Sequence, residues 1–234
     1  MFAGGCAGLG SMASVTSEGD SIAIHQGDLT RSSSGTRVGR VPPMSVSSLP
    51  RTCSNFWAIV QTVEPPDLGP GPRAGVLSAA ELNGKLRTWL SPLGLTSSSE
   101  RSLRATALLY HDHHDEAHDL VQDGAESDAS LIHAILHRRE PDFWNSKYWF
   151  RRVLDHPIYR TLANRVNALA GDDVGRELAH RLTVAGILDP FLFVDEVERV
   201  SLGRTRSEEA LFLKRVQQAE FEVLAEHLLR PVSV

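Results

Sequence analysis

The histidines of this chain are concentrated in the stretch YHDHHDEAHDLVQDGAESDASLIHAILHRREPD, residues 110–142, which holds six of the ten. Four of them form two pairs with a spacing of four residues, His114 with His118 and His133 with His137. On a helix, residues i and i+4 lie on one face, so each pair directs two imidazoles the same way. Imidazoles, completed by carboxylates, bind zinc, iron and manganese. The spacing therefore predicts a divalent-metal site, with zinc, iron or manganese as the cofactor.

Two facing helices are needed to bring these pairs together. The capping-box spacing of SSSE predicts a single helix over residues 97–122, with His114 on its apolar stripe. The loop DGAESD follows, and a second helix over 129–139 ends before Pro141, because proline disfavours helical geometry in the residue before it. Helices joined by a short loop pack as antiparallel neighbours. The four imidazoles are therefore expected to face one another.

Acidic residues next to the pairs can complete or orient the metal's ligands. Asp115 and Glu140 are candidates for ligand, hydrogen-bonding partner or general base, and Glu116 is a further candidate for metal coordination. Together with His156, Asp115 and Glu140 are the candidate catalytic residues. The order HDEAH matches neither H-E-x-x-H nor H-x-x-E-H, so the mechanism of the zincins is not predicted. The alternative is that individual histidines bond to backbone carbonyls or to nearby acids.

A basic and aromatic block, RREPDFWNSKYWFRRVLDHP, follows the second histidine pair directly. Guanidinium groups bind carboxylates and phosphates with two parallel hydrogen bonds, and aromatic rings offer a flat apolar surface. The block therefore predicts a pocket for a small anionic ligand. Its candidate binding residues are Arg138, Arg139, Lys147, Tyr148 and Arg152. The alternative is that the cations cap helix ends or pair with neighbouring acids, and that the aromatic residues belong to the core.

Helical signals continue through the rest of the chain. The spacing SAAE at Ser78 is a capping box that opens a helix over 79–90. No alternating strand pattern and no internal repeat is present. The remaining predicted helices cover residues 145–154, 157–170, 173–186, 190–200 and 208–229. These elements predict an all-α fold, a single irregular helical bundle.

The first quarter of the chain has a different composition. Residues 1–54 are rich in Gly, Ser and Thr and carry few apolar residues at helical spacing, so they are predicted to form a disordered, low-complexity leader. The helical domain is predicted over 55–234. Cys6 and Cys53 lie in the leader without metal-binding spacing, which argues against a disulfide framework and a structural zinc knuckle.

Composition also limits the partners. The net charge of -5 and the isoelectric point near 6.1 argue against nucleic-acid binding, which favours a basic surface. No apolar run approaches the roughly 20 residues that span a bilayer, so no membrane partner is predicted. The N-terminus lacks the basic and apolar regions of a signal peptide. A cytoplasmic location is therefore expected.

Four segments resemble those of an uncharacterised, mostly bacterial protein family: LLYHDHHDEAH, HAILHRREPDFWNSKYWFRRVLDHP, DPFLFVDEVE and VQQAEFEVL. The resemblance covers roughly residues 56–229 and excludes the leader. It implies that the histidine stretch and the basic block belong to one domain. No activity comes with it.

Two functional hypotheses follow from the sequence. The first is a metal-dependent enzyme that acts on a small anionic substrate, with His114, His118, His133 and His137 as metal ligands. The second is a metal-free module that uses residues 138–156 to bind an anionic ligand or another protein. A third interpretation is purely structural, with the histidines and arginines as an internal polar network.

Overall fold

The computed structural model describes residues 51–153 and 155–230, and within these ranges the regular secondary structure is almost entirely helical. The α-helices are α1 (Arg51–Val60), α2 (Ala79–Leu90), α3 (Ser97–Tyr110), α4 (His114–Val121), α5 (Ser127–Arg139), α6 (Phe143–Val153), α7 (Ile158–Leu169), α8 (Asp173–Leu182), α9 (Pro190–Ser201) and α10 (Ser207–Leu228). A short 3-10 helix, Ser91–Leu93, follows α2, and the strands β1 (Thr183–Val184) and β2 (Ile187–Leu188) form a small hairpin. The prediction of an all-α fold is confirmed.

The predicted leader falls almost wholly outside the described residues, which begin at Arg51. Helix α1 starts there, so the last residues assigned to the leader are helical. Phe56 and Trp57 on α1 are buried, which explains why this segment folds: it contributes large apolar side chains to the core. The domain boundary at residue 54 stays a prediction.

The two predicted capping boxes have different outcomes. Ser78 caps α2 as predicted, because its hydroxyl accepts from the backbone N–H of Glu81 at 3.3 Å. At α3 the cap lies one residue earlier than predicted. Thr96 accepts from the backbone N–H of Ser99 at 3.1 Å, and Ser97 is the first helical residue.

The prediction of one continuous helix over 97–122 is wrong. The chain leaves the helix after Tyr110 and resumes at His114, with Asp112 at a φ of 65° between them. Aspartate tolerates this left-handed conformation better than most residues. Its carboxylate accepts bonds from the backbone N–H and Nε of Arg73, both at 3.0 Å, and from Nη2 of Arg139 at 2.7 Å. These contacts hold the break, which redirects α4 relative to α3.

A second correction concerns the predicted helix over 173–186, which ends at Leu182. Thr183 pairs with Leu188 across the hairpin. The turn between the strands consists of Ala185 and Gly186, both with positive φ, as a two-residue hairpin turn of type I′ requires.

Two helices run through the interior. From Ala129 to Arg139, every residue of α5 is buried, and α3, α4 and α6 pack around it. A helix that is buried on all sides has no polar face, which explains why its periodicity is weak in the sequence. Helix α10 packs against α3, α7, α8 and α9. Helix α5 carries one histidine pair and the first two arginines of the basic block, so the candidate site is anchored in the core.

Among the described residues, no helix is both long and apolar enough to cross a bilayer.

Candidate metal centre

Three of the four predicted ligands meet. One ring nitrogen from each of His118, His133 and His137 lies within 4.8 Å of the other two. The rings of His118 and His133 meet edge to face with centroids 4.6 Å apart, and those of His133 and His137 stack at 4.8 Å. His118 comes from α4 and the other two from neighbouring turns of α5. The predicted facing of the two pairs therefore holds for these three residues.

His133 is the most enclosed of the three. Its ring stacks on Trp149 of α6 at 3.8 Å, and its buried Nδ1 has no hydrogen-bond partner among the described residues. Burial, followed by the positive charges of His137 and His118, lowers the pKa of His133 to about 3. A neutral imidazole with an unused nitrogen is the form that binds a metal.

His137 is oriented by two polar neighbours. Its Nδ1 lies 3.0 Å from Oε2 of Glu140, and its Nε2 lies 3.1 Å from the side-chain nitrogen of Asn145. Burial lowers the pKa of His137, although the Glu140 carboxylate acts in the opposite direction. A neutral ring with its proton on Nδ1 donates to Glu140 and accepts from Asn145. Metal-binding histidines commonly donate to a carboxylate in this way, which leaves Nε2 as the ligand atom once the Asn145 amide turns aside.

His114 lies next to this group but does not join it. Both of its ring nitrogens are buried without a hydrogen bond to a described residue, and Oε1 of Glu140 lies 3.8 Å from Nδ1. Burial, followed by the positive charge of Arg139, lowers the pKa of His114 to about 4. Because of the break at Asp112, His114 is the first residue of α4 rather than part of a long stripe. Glu140 links His114 to His137.

The three candidate catalytic residues lie in different surroundings. Glu140 adjoins the histidine group, with its side chain 34% exposed. Asp115 is exposed on the first turn of α4, and its carboxylate makes no hydrogen bond or ion pair with a described residue. His156 lies with Asp128 and His227, outside the group of three.

Arg138 has an internal partner. Its guanidinium binds both carboxylate oxygens of Glu220 on α10, one of them at 3.0 Å, and lies 4.2 Å from the ring centroid of Phe193. The side chains of Arg138 and Glu220 are 0% and 1% exposed. The burial and pairing of Arg138 therefore do not support its predicted role in binding an anion from solvent.

Arg139 is enclosed in the same way. Its side chain is 0% exposed and binds Asp112, the carbonyl of Leu109 and the carbonyls of Asp67 and Gly69. Burial lowers its pKa, and the bond to Asp112 acts against that effect. Arg139 thus ties α5 to the segment before α2 and to the break after α3.

The remaining candidates for anion binding lie on α6. Lys147 pairs with Asp195 of α9. Tyr148 is 41% exposed and meets the edge of Trp149 at 5.6 Å. The guanidinium carbon of Arg152 lies 5.3 Å from the centroid of the Trp149 ring, which itself stacks on His133. Among the predicted anion-binding residues, Arg152 therefore contacts the aromatic ring that packs against the histidine group.

The sequence analysis did not predict Asn145 at this site, and it predicted Trp149 as part of an aromatic surface for the ligand rather than as a residue that stacks on His133. A signal was present, because Asn145, Trp149 and Arg152 follow the spacing i, i+4, i+7 and share one face of α6.

Comparisons of the chain with protein-family models, with curated proteins and with solved structures gave no match. The resemblance to an uncharacterised bacterial family stays a prediction.

Proposed function

We propose that the chain is a metal-dependent enzyme whose divalent ion is held by His118, His133 and His137. The observation that carries the proposal is the convergence of three ring nitrogens within 4.8 Å. Three histidines with an open fourth position are a common ligand set of catalytic zinc, and iron and manganese remain alternatives. When bound, such an ion polarises a substrate oxygen or activates a water molecule.

The surrounding residues divide the remaining tasks. Glu140 orients the His137 ring through the 3.0 Å contact to Nδ1, and its partial exposure leaves it accessible as a proton acceptor. Arg152 supplies a positive charge beside Trp149, which forms the wall behind His133. A small anionic substrate would place its charged group toward Arg152 and its reactive group toward the ion. The proposed substrate is therefore still a small anion, and Arg152 is the one predicted cationic residue that is proposed to bind it.

The test is turnover of small phosphate and carboxylate esters by the full chain, stripped with a chelator and reloaded with Zn²⁺, Mn²⁺ or Fe²⁺. We expect turnover only after reloading, and none in His137→Ala. Arg152→Met is expected to raise KM, whereas the matched variant Arg151→Met, at an exposed neighbouring position, should not. Turnover that persists in the chelator-treated chain would exclude the metal-dependent mechanism.

A second candidate function has one observation in its favour. Trp144 is 74% exposed, and its ring lies nearly parallel to that of Tyr148, with centroids 6.3 Å apart. Exposed aromatic pairs beside a cation are typical of binding surfaces, which favours a metal-free anion-binding or protein-binding module over residues 138–156. Thermal stabilisation by inorganic phosphate that survives chelation and is unchanged in His137→Ala would favour this function over the first.

A further inference from the structure

A second cluster of potential ligands lies away from the three histidines. Asp128 is in the first turn of α5, His156 lies between α6 and α7, and His227 is in the last turn of α10. Oδ1 of Asp128 is 2.9 Å from Nε2 of His156 and 3.2 Å from Nε2 of His227. The two imidazole centroids are 5.0 Å apart. Three elements that are distant in the sequence thus converge on one carboxylate oxygen.

The composition and spacing of this cluster match a known type of metal site. Two histidines and one carboxylate on one side of an ion, with the other positions open, are the ligand set of many non-haem iron sites. Around a six-coordinate ion with bonds of about 2.1 Å, neighbouring ligand atoms lie about 3 Å apart. The distances of 2.9 and 3.2 Å agree with that separation.

The same distances also fit hydrogen bonds, so the tautomers need to be considered. The backbone N–H of Ile158 lies 3.4 Å from Nδ1 of His156, which favours a proton on Nε2 in the metal-free chain. Metal binding through Nε2 would move that proton to Nδ1 and end this contact. A contact of 3.4 Å is at the outer limit of hydrogen bonding, so its loss costs little.

Space for further ligands exists beside His156. A cavity of about 390 Å³ is lined by His156, Asp155, Arg160 and Thr161, with Pro157 and Ile187 completing its wall. Water molecules or a small ligand can enter a cavity of this size. An ion next to it would have its open positions supplied from solvent.

We propose that Asp128, His156 and His227 form a second site for a divalent first-row transition metal ion. The site is separate from the three-histidine centre, because Asp128 and His133 are about 7.5 Å apart along α5 and point about 140° apart around it. Two-metal centres with a shared substrate have ions about 3.5–4 Å apart. The second ion would tie α5, the α6–α7 connection and α10 together.

The test is the number of Zn²⁺ equivalents bound by the full chain after removal of all metal, measured by calorimetric titration. His227→Gln is the informative variant, since its amide can still donate to Asp128 but is a poor metal ligand. Asp128→Asn is the second variant. His180→Gln, at an exposed position on α8, is the matched control. Circular dichroism spectra and melting temperatures of the metal-free variants check that each one folds.

We expect two equivalents in the wild type and in His180→Gln, and one in His227→Gln and Asp128→Asn. If His227→Gln folds and binds as many equivalents as the wild type, the second site does not exist. This test does not depend on the three-histidine centre. If that centre binds no metal, the wild type and His227→Gln each bind one equivalent fewer, and the difference between them stays the same.

A second test uses the wild-type chain and requires no variant. The side chain of His227 is 25% exposed, so its carbethoxylation can be followed by peptide mass spectrometry. Zn²⁺ at the proposed site would slow this modification by blocking Nε2. An unchanged rate at saturating Zn²⁺ would overturn the proposal.

Discussion

On helix α5, the two buried arginines and the buried His133 have opposite surroundings. Arg138 and Arg139 each reach a buried carboxylate, Glu220 and Asp112 respectively. His133 lies one turn earlier, has no carboxylate at hydrogen-bonding distance, and its buried Nδ1 has no partner among the described residues. Both sets of side chains are buried and polar, but each arginine has a carboxylate partner and His133 has none.

The difference indicates separate purposes for the two regions. A guanidinium stays charged at any ordinary pH, so its burial requires an acidic partner. An imidazole can be buried in its neutral form, and the lowered pKa of His133 agrees with that state. Neutral imidazoles with free lone pairs can bind a metal, whereas guanidinium groups that are paired with buried carboxylates are not available to bind another ligand. The arginines therefore stabilise the helix that positions the histidines.

The largest effect is expected at the Arg138–Glu220 pair. Glu220→Ala leaves the Arg138 charge buried and unpaired, which should lower the free energy of unfolding by about 3–5 kcal/mol. Urea denaturation of the metal-free chain measures the loss. The double variant Arg138→Met with Glu220→Leu should recover most of it, since no buried charge remains. A loss below about 1 kcal/mol in Glu220→Ala would contradict the structural role of this pair.

A smaller loss is expected at Asp112. Asp112→Asn keeps a residue that tolerates the left-handed conformation but removes the charge that faces Arg73 and Arg139. The free energy of unfolding should fall by about 2 kcal/mol. Asp115→Asn, at an exposed position three residues later, serves as control and should change it by less than about 0.5 kcal/mol. Equal effects in the two variants would show that the break between α3 and α4 does not depend on the carboxylate.

The histidine region should respond in metal affinity rather than in stability. Glu140→Gln removes the carboxylate that orients His137, and such partners contribute about 10–100-fold to affinity. Competition of the metal-loaded chain with a chromophoric chelator measures the change. Glu116, which the sequence suggested as a further ligand, is exposed on α4 and lies outside the group of three histidines, so Glu116→Gln should bind the metal as tightly as the wild type. If Glu140→Gln keeps full affinity, Glu140 does not orient a metal ligand.

The smallest effect concerns a buried acid outside both regions. Burial raises the pKa of Glu222, with the hydrogen bond from Gln218 as the main opposing influence. A carboxyl with a raised pKa in the folded state destabilises that state once the pH exceeds its ordinary value. Glu222→Gln should therefore raise the melting temperature at pH 7, and the gain should shrink as the pH falls toward 4. A gain that is independent of pH would rule out titration of Glu222 as its cause.

Much of the fold could be predicted from the sequence because its helices have local start and stop signals. Ser78 and Pro141 mark helix boundaries by backbone chemistry that acts within a few residues. The break at Asp112 has no such signal. It depends on Arg73 and Arg139, which are distant in the sequence and meet Asp112 only in the folded chain.

The same distinction explains the outcome at the site. The i, i+4 spacing on α5 correctly placed His133 and His137 together, because both lie within one helix. The role of Arg138 could not be read from its neighbours, since its partner Glu220 is 82 residues away. His114 was predicted as a ligand from a helix that the structure divides in two. Residues that are distant in the sequence and meet only in the folded chain leave no local sequence pattern.

The most direct test of the proposed metal centre is a count of bound metal in the variant that removes two of its proposed ligands. His118→Ala combined with His137→Ala should bind one Zn²⁺ equivalent fewer than the wild type, as measured by mass spectrometry of the metal after gel filtration. His180→Ala should bind as much as the wild type. An unchanged metal content in a folded double variant would contradict the assignment of a metal to these three histidines.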